Sequence, residues 1–279
     1  MPEAPPATQA PCSQKCPENR KEVFGEAFFQ KASKNAAFLK KGGTHKLFIP
    51  FGMNRAMQTN CVIAALRACP TIEWPYPHWQ LHDVLPAPVA SALMAWQPDA
   101  RFVGGDSGGQ RSGRNGRRLF ITPAQRAVSP AMEQLAQLFD APQTRTAFTT
   151  RCAARLGQSA LRLELCLDTD GFWLEPHTDI GAKRLTLLIP LSMGAQAAQW
   201  GTDIMTAEGT PVARASGAFN SGLLFIPSAQ SWHGFVPRPL NGVRRTLIVN
   251  YVGPEWEATD ELAMHAGKGA IAPDRERNA

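Results

Sequence analysis

The sequence predicts a mainly β domain with flanking helices, and three observations carry that expectation. Glycine and proline number 23 each, together 46 of 279 residues, above the usual share of roughly 12%. Beyond about residue 150, short runs of β type follow one another: ALRLELCLD (160–168), RLTLLIPLS (184–192), SGLLFIPS (221–228) and RRTLIVNYV (244–252). Gly, Pro, Asp and Asn separate these runs and no long helical pattern intervenes, which is the signature of an antiparallel sandwich or barrel.

Helical patterns belong to the first half. Residues 1–20 read as a disordered lead-in, and 21–73 as a helical extension. Within it, Val23, Phe24, Ala27, Phe28 and Ala32 recur near helical spacing before Gly42-Gly43, and NCVIAALRACP (60–70) closes at a proline. LFIPFG (47–52) suits a strand or a buried loop. WPYPHWQLHDVL (74–85) alternates in the manner of a strand, PAPVASALMAW follows as a Pro-led helix, and Ser129-Pro130 opens another. The run 102–123 is rich in glycine and carries Arg111, Arg114, Arg117 and Arg118. It reads as a solvated loop, or as a lid that meets an anionic substrate. The main domain is expected over 74–257, and the charged tail 258–279 is expected to fray.

The formal charge is +6 and charged residues make up 19%, a mild excess that permits an anionic small molecule without demanding nucleic acid. No run reaches the roughly 20 apolar residues of a membrane helix. Met1–Ala10 lacks a basic and apolar leader, so a cytoplasmic protein is expected. Cys12 and Cys16 have no second pair or nearby His to complete a zinc site, and read as free thiols. The oligomeric state leaves no trace in the sequence.

Two of the six histidines stand in unusual surroundings. His177 precedes Thr178-Asp179, and an H-x-D on extended chain turns both side chains to one side. His233 follows the apolar run SGLLFIPS, with 53 residues between it and Asp179, room for strands that return the chain to the same mouth. Two imidazoles and one carboxylate form a facial set that suits non-haem iron(II) and leaves coordination positions open. Further on, Arg244 and Thr246 share a face through their R-x-T spacing, offering a guanidinium and a hydroxyl to a carboxylate. His78 and His82 lie on a segment read as strand and loop, which argues against a second metal site. Trp173, Trp200 and Trp232 flank the motif and suit either core packing or substrate stacking.

At these residues the chain resembles the Fe(II)/2-oxoglutarate-dependent oxygenase superfamily. The pattern reads His177-Thr178-Asp179, then His233, then Arg244-Arg245-Thr246, and WPYPHWQLHDVLP is similar to the opening of the prolyl-hydroxylase-like branch. The resemblance implies a double-stranded β-helix (jelly-roll) core. It implies iron(II) on His177, Asp179 and His233, 2-oxoglutarate on Arg244 and Thr246, and dioxygen as co-reactant, with ascorbate as an in vitro reductant. His233 to Arg244 is eleven residues, a step longer than is common, and Arg245 is the alternative to Arg244. An intact Asp179 favours hydroxylation over halogenation, with desaturation or cyclisation also open. The substrate expected is a small, anionic molecule such as an amino acid, a sugar or a natural-product intermediate. The alternatives are the same chemistry on a protein or nucleic acid, and a cupin-like metal-binding jelly roll without turnover.

Overall fold

A computed structural model of the chain describes residues 55–97 and 116–265. The lead-in 1–20, the helix expected at 21–41, LFIPFG, Arg111 and Arg114 lie outside them. Five helices precede the main β region: α1 (Arg55–Ala68), α2 (Ala87–Ala95), α3 (Pro123–Val128), α4 (Pro130–Asp140) and α5 (Pro142–Cys152). Strands β1 (His78–Leu81) and β2 (Gly116–Phe120) are interspersed among them. Eight strands then run without an α-helix: β3 (Ala160–Asp168), β4 (Leu174–His177), β5 (Lys183–Pro190), β6 (Asp203–Met205), β7 (Pro211–Arg214), β8 (Gly222–Phe225), β9 (His233–Phe235) and β10 (Arg244–Val252). A last strand, β11 (Leu262–Met264), follows.

The pairing of these strands defines the architecture. β3 pairs with β10, β4 with β9, β5 with β8 and β6 with β7, all antiparallel, so the eight strands form one long hairpin folded over on itself. Cross-pairs β5–β10 and β6–β9 roll that hairpin into two sheets. One sheet has the order β1-β8-β5-β10-β3-β11 with β2 also on β3, and the other has β4-β9-β6-β7. This is a jelly roll, as the resemblance implies.

Side-chain alternation divides the large sheet into two unlike faces. Leu161, Leu163 and Leu165 of β3 join Leu185, Leu187 and Ile189 of β5 and Leu247, Val249 and Tyr251 of β10 in the main core. Helices α2, α4 and α5 cover that face with Leu93, Leu135, Phe139 and Phe148. The opposite face of β3 carries Arg162, Glu164, Cys166 and Asp168, all buried and all turned between the sheets. Leu188, Leu223, Phe225 and Ile248 form a smaller apolar cluster there.

Some elements differ from the sequence reading. Gly116–Phe120, read as loop, is β2, and Leu262–Met264, read as fraying tail, seals the edge of β3 with Leu262 and Ala263 buried. Helix α5 was not visible in PQTRTAFTTRC because it buries only Thr144, Phe148 and Cys152, one residue per turn. Among the described residues, no helix is long and apolar enough to cross a membrane.

The helix-facing core carries a direct prediction. Leu163→Ala should lower stability by about 2–5 kcal/mol through lost burial and a residual cavity. Tyr251→Phe should cost less, about 1–2 kcal/mol, since it strips the Phe139 carbonyl of the hydroxyl that donates to it at 2.5 Å. Urea denaturation of both variants checks the order, and a Leu163→Ala loss below 1 kcal/mol would remove that residue from the core.

Candidate metal centre

The smaller sheet carries a histidine pair. His177 ends β4, His233 begins β9, and the ladder sets them directly opposite each other, with ring centroids 4.3 Å apart. Asp179 lies just past the end of β4, and one ligand atom from each of the three falls within 4.8 Å of the others. Among the described residues no other group of three such side chains converges in this way.

Hydrogen bonds fix the donor atoms. His177 Nδ1 lies 2.9 Å from the Glu175 carbonyl, and His233 Nδ1 lies 2.9 Å from the Ser231 carbonyl. A carbonyl only accepts, so both rings hold their proton on Nδ1 and present Nε2 as the ligand atom. Thr186 on β5 donates to Asp179 Oδ2 at 2.5 Å, and Lys183 donates to Oδ1 at 2.5 Å. Asn250 Nδ2 donates to Thr186 Oγ1 at 2.9 Å, and Arg162 Nη1 donates to Asn250 Oδ1 at 3.2 Å. A chain of oriented side chains thus runs from the buried arginine to the carboxylate of the site.

Charge follows the same geometry. Burial alone would raise the Asp179 carboxyl, but Lys183, His233 and the hydrogen bonds from Lys183 and Thr186 outweigh it. Asp179 is therefore held well below the usual carboxylate range and is ionised at neutral pH. Burial lowers His233 from 6.5 to about 4 against the opposing pull of Asp179, so its imidazole is neutral and able to ligate. Burial, reinforced by Asp179, raises the Tyr76 phenol, and its hydroxyl has no hydrogen-bond partner.

One cavity joins the triad to the arginine motif. It is lined by Leu174, Thr186, Leu188, Phe235 and Ile248 together with Arg118, Glu164, Lys183, Thr202 and Arg244. Arg244 opens β10 on the cavity face, together with Thr246, whose buried Oγ1 has no hydrogen-bond partner. Arg245 turns the other way and donates to the Trp96 carbonyl at 2.9 Å. The register therefore puts Arg244, not its neighbour, on the cavity side. Its guanidinium is paired at 2.5 Å with Asp168, which the sequence reading passed over. Of the arginine run, Arg118 is drawn into the cavity wall by an ion pair with Glu164, while Arg117 is exposed. Trp200 is core, packed with Phe172 and Phe235, and Trp173 lines an apolar groove alongside Pro176, Met205 and Pro237. His78 is buried and bound to the Tyr76 carbonyl, and His82 is exposed.

No family model matches the chain, and no curated protein does. Solved structures do. A prolyl-4-hydroxylase from Pseudomonas putida is similar at 20% identity and a TM-score of 0.47, over 70% of this chain and 98% of that one. A prolyl hydroxylase from Trichoplax adhaerens, in complex with a hypoxia-inducible-factor peptide, is similar at 15% identity and 0.45, over 71% and 90%. HygX from Streptomyces hygroscopicus, with nickel, 2-oxoglutarate and hygromycin B bound, is similar at 15% identity and 0.43, over 64% and 84%. It is the strand order of this chain that makes it a jelly roll.

The depressed His233 sets a pH test on the metal-free protein. Its folded value of about 4 lies below the ordinary 6.5, so the unfolded chain binds the extra proton between them. Stability should therefore fall as pH drops from about 6.5 to about 4, with His233 contributing up to about 1.4 kcal/mol per pH unit. Chemical denaturation across this window should give a shallower slope for His233→Gln, and an unchanged slope would mean that the imidazole is not held neutral.

Proposed function

We propose that the chain is an Fe(II)- and 2-oxoglutarate-dependent oxygenase that hydroxylates a small, anionic molecule. The observation that carries this reading is the convergence of His177 Nε2, Asp179 and His233 Nε2 on a cavity that Arg244 also lines, with the unpartnered Thr246 hydroxyl on the same face of β10 as Arg244. Two imidazoles that present Nε2, one of them held neutral, and one ionised carboxylate match the donor set of non-haem iron(II). A buried hydroxyl with no partner marks a position that a polar ligand group would satisfy.

In this reading His177, Asp179 and His233 hold the metal, and Thr186 and Lys183 orient the carboxylate. Arg244 and Thr246 receive the far carboxylate of the cosubstrate, and Leu174, Leu188, Phe235 and Ile248 keep water from the path between. Bound there, iron(II) and 2-oxoglutarate supply the oxidative decarboxylation that activates dioxygen for attack on a C–H bond. Arg118 and Lys183 line the cavity and keep some exposure to solvent, 24% and 18%; each is already ion-paired, with Glu164 and Asp179, so an anionic substrate would meet them as a further partner. One feature favours a jelly roll that binds metal without turnover: the guanidinium meant for the cosubstrate already carries Asp168. Formation of succinate from 2-oxoglutarate under air, with iron(II) and ascorbate and stimulated by candidate anionic substrates, separates the two.

His177→Ala, Asp179→Ala and His233→Ala should each abolish tight iron binding and reduce succinate formation at least a hundredfold, since two remaining ligands make a weak chelate. Any of the three keeping near wild-type iron content and activity leaves the site without that residue.

The two adjacent arginines should separate in kinetics. Arg244→Lys keeps the charge beside Asp168 but loses the forked donor, and should raise the KM for 2-oxoglutarate about tenfold or more. Arg245→Lys should change it less than about threefold, because that side chain lies on the helix-facing side of the sheet. The opposite ranking would assign the carboxylate to Arg245.

A further inference from the structure

We propose that Asp168 is a built-in counter-anion that competes with the cosubstrate's far carboxylate for Arg244, and so weakens the binding of dicarboxylates. This deepens the oxygenase reading of the same site and rests on it.

The placement begins in the sequence. The alternation of ALRLELCLD sends every second residue of β3 to the cavity face, and Asp168 is the last of that series. The β3–β10 register makes Asp168 the direct partner of Arg244, the first residue of β10. Asp168 is fully buried, and its Oδ2 accepts from Arg244 Nη1 at 2.5 Å. Its other oxygen, Oδ1, is buried without a hydrogen-bond partner, and so is Thr246 Oγ1, two residues along β10 from Arg244. Arg244 thus lines the cavity as one half of a buried ion pair, and Thr246, on the same face of β10, holds a buried hydroxyl that hydrogen-bonds to nothing.

A dicarboxylate that reaches Arg244 brings its anion to a guanidinium already paired with a buried carboxylate. Like charges brought together away from water repel strongly. Glu164, further along the same face, shows the contrasting arrangement: Arg118 and Arg162 both pair with it. Arg244 does not need Asp168 to stay in place. Its Nε donates to the Trp200 carbonyl at 2.7 Å, and the guanidinium lies 4.6 Å from the Phe235 ring centroid. Asparagine at 168 would keep an oxygen acceptor of the same shape for Nη1 while removing the negative charge, leaving the cavity wall at Arg244 cationic.

The test is calorimetric titration of 2-oxoglutarate, without oxygen, into the full chain loaded with manganese(II), comparing wild type with Asp168→Asn. Asp168→Ser serves as a second variant in case asparagine perturbs folding. Affinity should rise tenfold or more in either variant. The gain should be absent for 2-oxohexanoate, which has a neutral tail in place of the far carboxylate. Binding that is unchanged or weaker in both variants overturns the proposal and leaves the oxygenase reading intact. An equal gain for both oxo acids overturns it as well, since the effect would not be one of charge. Manganese bound by every protein with no 2-oxoglutarate bound by any would sink both the proposal and the reading on which it rests.

Discussion

The register of β10 between β3 and β5 is the constraint on which the site depends. Strand side chains alternate with period two, so a slip of one residue would exchange the two faces of the sheet. In the observed register the leucines of β3 meet helices α2, α4 and α5, and Arg162, Glu164, Cys166 and Asp168 turn between the sheets, where Glu164 lines the cavity. The same register brings Asn250 beside Thr186 and so to Asp179, and sets Arg244 against Asp168. The wide apolar contact with the helices holds this alignment, and the polar inner face takes its order from it.

That inner face is costly to build. Ionised side chains taken out of water lose hydration that their mutual attraction does not reliably restore. Here the charges are matched: Asp179 with Lys183, Asp168 with Arg244, and Glu164 and Glu261 with Arg118 and Arg162. An apolar lining of the same volume would serve a jelly roll at least as well. A buried layer of paired charges around three side chains able to ligate a metal is what the proposed site for a cation and an anionic cosubstrate would require.

Much of this was legible in the sequence, for a physical reason in each case. ALRLELCLD and RRTLIVNYV are long enough for apolar alternation to mark them as strands, and both span the observed elements without change. His177, Asp179 and His233 stood out because H-x-D on extended chain turns two ligands the same way, and the structure brings the distal histidine to them. The R-x-T spacing put Arg244 and Thr246 on one face, where they are found. Other features left no local signal. β2 and β11 are strands only because the edge of β3 offers them backbone partners. Lys183 and Thr186 reach Asp179 through a turn whose geometry no spacing rule gives, and Asp168 becomes important only when β10 is laid beside it.

The central claim is that the triad and the cavity together form one site for iron(II) and a 2-oxo acid. Visible absorption tests it most directly, during anaerobic titration of the chain with iron(II) and then with 2-oxoglutarate. A 2-oxo acid that chelates iron(II) through its keto and carboxylate oxygens produces a charge-transfer band. The account predicts a band that saturates at one equivalent of iron per chain and is lost in His233→Gln. Iron that binds without any band on addition of 2-oxoglutarate, or a band that survives loss of His233, would contradict it.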